Sequence, residues 1–255
     1  MYIFVLGLMS TLNQYGLGRS IPEEVKRTVR QRCGFGCVIC ATAIVEYEHV
    51  DPDFTRARRH TADGIALLCP TCHAKKTRNF LSRRRVVEAM HDPAAKKVGF
   101  AFSDLESTNE HPYVVFAGMT LRNCATPVEI RGLPVLKIEA AEASGGPYRL
   151  SASFFDARGR PSLLIRQNEW QVLADTWDVE AKGGVVIVRS APSEIALRLR
   201  LDPGAGVVVE RIAMFCGGYR LDGDAHVLEI TSPGGGKNSF GGGLIDNCAV
   251  GLSLN

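Results

Sequence analysis

Two C-x-x-C pairs, Cys37/Cys40 and Cys69/Cys72, constrain this chain more than any other feature of its sequence. Each pair places two thiolates on one tight turn, and two such turns supply the four sulfurs that a tetrahedral Zn2+ takes. A metal enclosed in that way has no open coordination position, so its expected work is structural. The run Cys33-Gly-Phe-Gly-Cys37 adds two glycines that relax the backbone ahead of the first pair, as a metal-binding knuckle needs. The other cysteines, Cys33, Cys124, Cys216 and Cys248, show no ligand spacing. A reducing compartment fits the set better than a disulfide framework.

Charge divides the chain in two. Residues 1 to 97 hold 16 Lys and Arg against 9 Asp and Glu, and residues 98 to 255 hold 14 against 18, which is +7 followed by −4. A basic first part points to a polyanion partner, and the acidic remainder to another task. With 45% hydrophobic and 22% charged residues the composition is that of an ordinary soluble globular protein. No stretch approaches the roughly eighteen apolar residues of a membrane span. The apolar opening Tyr2 to Met9 is short and lacks a basic flank, so the expected location is cytoplasmic. Whether Met9 is the true start is left open.

Ser20-Ile-Pro-Glu23 reads as a capping-box start, and Ile21, Val25 and Val29 recur on one face of a helix that stops at Gly34. Its other face carries Lys26, Arg27, Arg30 and Arg32, readable equally as a solvated face or as a phosphate contact. After the first knuckle come Glu46-Tyr-Glu-His-Val50, an arginine-rich loop over 51 to 63, and the apolar Ile65 to Leu68. A helix should start at His73 to Arg78 and continue or restart at Ser82, fading at Asp92-Pro93.

Beyond about residue 111 the chain becomes short Val, Ile, Leu and Phe runs bounded by turn residues, which predicts an all-β domain, with a β-sandwich preferred. Within it, 116–125 and 240–249 share the frame F-x-G-x-x-[L/I]-x-N-C-A. That frame has the look of single turns of a β-solenoid, but the intervening residues do not keep its period, so two matched sandwich edges are preferred. Its Asn-Cys pairs read as a turn and a buried thiol. Pro233-Gly-Gly-Gly-Lys237 lacks the frame of a phosphate loop and reads as a hairpin tip; Trp170, Trp177, Asp175 and Asp178 are assigned to the β core and its turns.

Cys37-x-x-Cys40, Glu48-His49-Val50-x-Pro52, Leu67-Leu68-Cys69-x-x-Cys72-His73 and Lys76 together resemble the HNH endonuclease family, in the form whose ββα-metal core is clamped by a zinc ribbon. The resemblance covers about residues 21 to 90 and does not extend to the β domain. Joined to the strand-rich remainder, it gives the expectation of an α+β protein: an N-terminal extension (1–20), an HNH nuclease domain (21–100), a linker (101–112) and an all-β domain (113–255). It also implies a metal-dependent endonuclease that hydrolyses phosphodiester bonds, with double-stranded DNA as the expected partner and defence against foreign DNA or mobile-element biology as the setting.

In that frame Cys37, Cys40, Cys69 and Cys72 hold structural Zn2+. His49 deprotonates the attacking water, and Glu48 and His73 ligate a catalytic Mg2+ or Mn2+. The family's middle Asn falls on Gly64, which has no side chain; Asp63 is the expected substitute as catalytic residue and metal ligand, with His60 the second candidate. Lys76 is expected near the scissile phosphate, and Lys75, Arg78, Arg56, Arg58 and Arg59 along the nucleic-acid backbone, while Arg83 to Arg85 read equally as solvated charge. The β domain is expected to recognise a signal ligand or protein partner, regulate, or form a homo-oligomer. The alternative from another class is a non-catalytic zinc-ribbon protein that binds nucleic acid.

Overall fold

The structure, a computed structural model, describes residues 12–255. The readings of Tyr2 to Met9 lie outside the described residues. The chain is mixed α+β and mostly β.

Helix α1 (Glu23–Cys33) follows Pro22, whose fixed φ suits a helix start. The expected capping box does not form: Pro22 occupies the N-cap position, and no side chain caps the helix. It stops as expected at Gly34, which adopts the left-handed φ of 69° while the Phe35 N–H closes onto the Arg30 carbonyl. Strands β1 (Glu46–His49) and β2 (Ile65–Leu68) then form an antiparallel pair, with Glu46 opposite Leu68 and His49 opposite Ile65. Helix α2 (Pro70–Thr77) leaves directly from β2, and α3 (Arg83–His91) restarts with Ser82 Oγ accepting from the Arg85 N–H at 3.2 Å. A short α4 (Ala94–Val98) completes this unit. Its core is small: Ile21, Val29, Val38, Val50, the whole of β2, Val86, Ala89 and Met90.

The rest of the chain forms one 15-stranded sheet. Its strands are β3 (Phe100–Asp104), β4 (Tyr113–Phe116), β5 (Met119–Ile130), β6 (Leu133–Glu139), β7 (Arg149–Phe155), β8 (Pro161–Arg166), β9 (Glu169–Leu173) and β10 (Asp178–Lys182). They continue with β11 (Val185–Ala191), β12 (Glu194–Asp202), β13 (Gly206–Cys216), β14 (Tyr219–Gly223), β15 (Val227–Thr231), β16 (Lys237–Gly241) and β17 (Leu244–Leu254). The main path runs β10-β11-β12-β13-β4-β5-β6-β7-β8-β9-β3. It folds over on itself so that β8 lies across from β11 and β12, which buries one continuous apolar core. Alternation drives this: β7 and β9 bury every second residue, Trp170 and Phe154 among them.

Three boundaries differ from expectation. Residues 101–104 of the expected linker belong to β3, which pairs with β9 and also bonds to the knuckle, the Ala43 N–H donating to the Phe102 carbonyl at 2.7 Å. Residues 12–20 are not a free extension, because Asn13 Nδ2 donates to the carbonyls of Phe54 and Ala57, both at 2.6 Å, and so braces the long loop after β1. The two F-x-G copies are not opposite sheet edges. Strands β5 and β17 are hydrogen-bonded neighbours, parallel and in register, with Cys248 opposite Cys124, as stacked solenoid turns would be.

The basic face of α1 is neither solvated nor available to phosphate over Arg30. That guanidinium is 5% exposed and meets the fully buried Asp178 at the start of β10 through two bonds, Nε to Oδ1 at 2.7 Å and Nη2 to Oδ2 at 2.8 Å. Burial works against the Arg30 charge, but Asp178 and Tyr47 outweigh it and raise the pKa above its ordinary value. Arg27 stacks over Trp177 at 4.9 Å, and Gln31 Nε2 donates to the Trp177 carbonyl at 2.7 Å. Trp170 is core as expected, whereas Trp177 and Asp178 serve the junction between the two regions.

Among the described residues no helix is long and apolar enough to cross a membrane.

Candidate functional site

The two knuckles meet. The sulfurs of Cys37, Cys40, Cys69 and Cys72 all lie within 4.8 Å of one another. Cys40 Sγ is 3.7 Å from Cys69 Sγ and 3.9 Å from Cys72 Sγ. A tetrahedron with Zn–S bonds of about 2.3 Å has edges of about 3.8 Å, so the sulfur spacing fits the ion. The local sequence explains the arrangement: Cys69 is the N-cap of α2, its sulfur accepts the Cys72 N–H at 3.4 Å, and Pro70 starts the helix. Burial pushes the Cys37 thiol up to about 11 and Cys72 higher still. Cys40 lies below its ordinary value, because hydrogen bonds from Thr42 outweigh its burial. These four cysteines therefore form a cluster that can hold a metal such as zinc, in competition with protons.

One turn further along, a second constellation opens beside the cluster. Glu46 and Glu48 alternate onto one face of β1, and His73 rises from α2 between them. His73 Nδ1 is 2.8 Å from Glu46 Oε2, and His73 Nε2 is 2.9 Å from Glu48 Oε2. Lys76, one helical turn on, bonds Glu48 through its Nζ and lies 3.8 Å from Asp53 Oδ1. Tyr47, on the opposite face, accepts from Arg30 Nη1 at 2.9 Å, so the same strand joins the junction to the groove.

His49 ends β1. Its Nε2 lies 3.0 Å from His60 Nδ1, and its ring meets Phe54 edge-on with centroids 5.4 Å apart. Burial, and after it the His60 charge, hold the His49 imidazole below the ordinary histidine value. Arg19 caps the arrangement from the braced N-terminal segment, its guanidinium 4.7 Å above the Phe54 ring. Glu48, His49, Asp53, His73, Lys76 and Arg19 line one open cavity of about 610 Å3.

The structure thus brings Glu48, His49, His73 and Lys76 together. It does not bring Asp63 to them: that carboxylate is fully exposed and lies 3.6 Å from Arg32 Nη1. Nor can a neighbouring side chain take its place from position 64, since a Cβ on Gly64 would meet the Asp51 carbonyl oxygen at 2.4 Å. The Gly64 carbonyl is itself used, accepting from the N–H groups of Val50 at 2.8 Å and Asp51 at 3.2 Å. Lys75, Arg78, Arg56, Arg58 and Arg59 are all exposed, with Arg58 stacked 4.5 Å from the Tyr15 ring. Arg83 pairs with Asp51 and Arg84 with Glu88 at 2.8 Å, a solvated arrangement.

Sequence reasoning missed Glu46, Asp53 and Arg19. Glu46 was legible, since it stands two residues before Glu48 on a strand and so shares its face. Arg19 was not, because its place depends on how Asn13 folds the segment back onto the loop.

No family model matches this chain, and no curated protein or solved structure is significantly similar to it.

Proposed function

We propose that this protein is a metal-dependent endonuclease of HNH type, acting on phosphodiester bonds in DNA. The observation that carries the reading is the convergence of Glu48, His49, His73 and Lys76, from one strand and one helix, on a single open groove beside a four-cysteine cluster. A carboxylate and an imidazole nitrogen 2.9 Å apart are a donor set suited to a hard divalent cation such as Mg2+ or Mn2+. When bound there, such an ion supplies Lewis-acid stabilisation to the phosphate and its leaving oxygen.

The chain's own residues do the rest. With His60 Nδ1 accepting, His49 carries its proton on Nε2 and leaves the Nδ1 lone pair to take a proton from water. Burial, the first cause of its lowered pKa, favours the unprotonated lone pair. The water oxygen then bonds to phosphorus as the bond to the 3′ oxygen breaks. His60 is in this account the positioning residue that stands in for the side chain Gly64 cannot carry. Lys76 and Arg19, at the groove, and the exposed Lys75, Arg78, Arg56, Arg58 and Arg59 around it bind phosphate without reading sequence.

Nicking of supercoiled plasmid tests the reading, in Mg2+, in Mn2+ and with EDTA. Cleavage should need the cation and fall by about 10²- to 10⁴-fold in His49→Ala. His60→Ala should cost about 10- to 100-fold, with partial return in His60→Asn, whose amide can still accept. Metal-independent nicking, or nicking unchanged in His49→Ala, would sink the proposal.

A second reading, a non-catalytic zinc-ribbon module that binds nucleic acid, has one observation in its favour. Position 64 carries no side chain, and a Cβ there would meet the Asp51 carbonyl oxygen at 2.4 Å, so the family's middle Asn has no counterpart at that place. It predicts salt-sensitive DNA binding with no cleavage under any cation.

A further inference from the structure

The repeated frame sets Cys124 of β5 directly opposite Cys248 of β17 on adjacent parallel strands. Their sulfurs lie 2.7 Å apart. Neighbouring strands are spaced about 4.8 Å, inside the roughly 4.4–6.8 Å between Cα atoms that a disulfide spans. The register is held by the rest of the frame: Asn123 and Asn247 both take left-handed φ values, 48° and 56°, and Asn123 Nδ2 donates to Asp246 Oδ1 at 2.8 Å. Among the described residues β17 pairs only with β5, and much of its length is exposed. Of the remaining cysteines, four form the metal cluster, and Cys33 and Cys216 are buried singly.

We propose that Cys124 and Cys248 form a thiol–disulfide exchange site whose co-reactant is a low-molecular-weight disulfide such as oxidised glutathione. The two thiols differ in access: Cys248 is half-buried and Cys124 fully buried. Cys248 therefore attacks first, its thiolate bonding to one sulfur of the small disulfide while the other leaves and takes up the proton. Cys124 then gives up its proton and attacks the Cys248 sulfur, and the second small thiol leaves. Two protein thiols lose two electrons and two protons, and one small disulfide becomes two small thiols. Burial, with Cys248 adding to it, pushes the Cys124 thiol up to about 11, which disfavours a first attack on solutes, and the part of the rise due to Cys248 is removed once that sulfur is held in the mixed disulfide. The bond would close a loop between cysteines 124 positions apart and staple β17, which pairs on one side only, to the body of the sheet.

The test uses the full-length, metal-loaded protein, equilibrated with oxidised glutathione, alkylated and mapped by peptide mass. The expected result is one link between Cys124 and Cys248, protection of those two thiols alone, and a rise of several degrees in the thermal midpoint that dithiothreitol reverses. Cys124→Ser should trap a glutathione adduct on Cys248, and Cys248→Ser should leave Cys124 unmodified. The proposal is overturned if both thiols stay open to alkylation, if wild type stops at the mixed disulfide, or if either cysteine links to a metal-site thiol instead.

Discussion

The two regions of this molecule reach a fixed structure by different means. The β body buries an unbroken set of Val, Ile, Leu, Phe and Trp side chains between folded-over parts of one sheet. The N-terminal unit surrounds two knuckles and two four-residue strands with a much smaller apolar set, into which Cys37, Cys69 and Cys72 are themselves packed. Apolar burial scales with the area removed from water, so side chains contribute far more to the first region than to the second. Residues that hold the knuckles together therefore also place the groove, since Cys69 caps the helix that presents His73 and Lys76.

Removing metal should break the comparison most completely. Structural zinc in small units contributes roughly 10 kcal/mol or more of apparent folding free energy. Prolonged chelation, or Cys72→Ser, is expected to abolish the helical signal of α1 to α3 while the strand signal of the β body persists in circular dichroism. Retention of the helical signal in protein shown by zinc assay to be metal-free would mean that the small core suffices.

The junction comes next. Asp178 is fully buried and its carboxylate is met by Arg30, with Arg27 and Arg189 at 3.4 and 3.5 Å. Removing one partner of a buried pair leaves an uncompensated charge and costs about 3–5 kcal/mol. Asp178→Ala should therefore split denaturant unfolding into two transitions, the N-terminal unit going first. A single transition at the original midpoint would show that the β3 contacts to the knuckle, and not this ion pair, couple the regions.

How far each region could be read from sequence follows the same division. Ligand spacing is local, so Cys37, Cys40, Cys69 and Cys72 were legible, as were Glu48, His49 and His73 from their frame. Alternation made the β character plain, and Gly34 and Ser82 marked real helix ends. What failed depended on contacts between distant residues. Arg30 looks like a surface charge until Asp178, far along the chain, is placed against it. The F-x-G copies look like separate edges because nothing in the intervening residues signals that β17 returns beside β5. Asp63 looked like a substitute for the missing Asn because it is adjacent in sequence, whereas His60, farther away, is the residue whose ring reaches His49.

A smaller effect separates the regions by pH. Asp156 is buried in the turn after β7 and accepts from the Arg158 N–H at 2.8 Å and from the Arg160 N–H and Nε at 2.9 Å. Burial raises its pKa, but these bonds outweigh it, so the folded value lies below the ordinary 3.8. A depressed carboxylate contributes stability that is present above its unfolded pKa and is lost as pH falls through the folded value. Asp156→Asn should cost about 1–3 kcal/mol at neutral pH, and the difference from wild type should shrink below pH 3.8. A constant difference across that range would assign the cost to packing instead of ionisation.

The smallest expected effect is the most discriminating for the groove. Asp63 is fully exposed, its one ion pair among the described residues is with the partly exposed Arg32 at 3.6 Å, and solvent screens such a pair almost completely. Asp63→Ala should therefore leave the unfolding midpoint unchanged and, on the proposed nuclease reading, leave plasmid nicking unchanged while His60→Ala lowers it. The reverse pattern, loss with Asp63→Ala and none with His60→Ala, would require the loop over 51 to 64 to move on binding nucleic acid and carry the carboxylate inward. That movement has a specific obstacle, because the Gly64 carbonyl anchors the loop to Val50 and Asp51 beside His49, and Asn13 holds its other side through Phe54 and Ala57. Asn13→Ala releases one anchor, and with it the segment that carries Arg19, without replacing a side chain that lines the groove, so a gain of Asp63 dependence in that background would locate the restraint in the N-terminal brace.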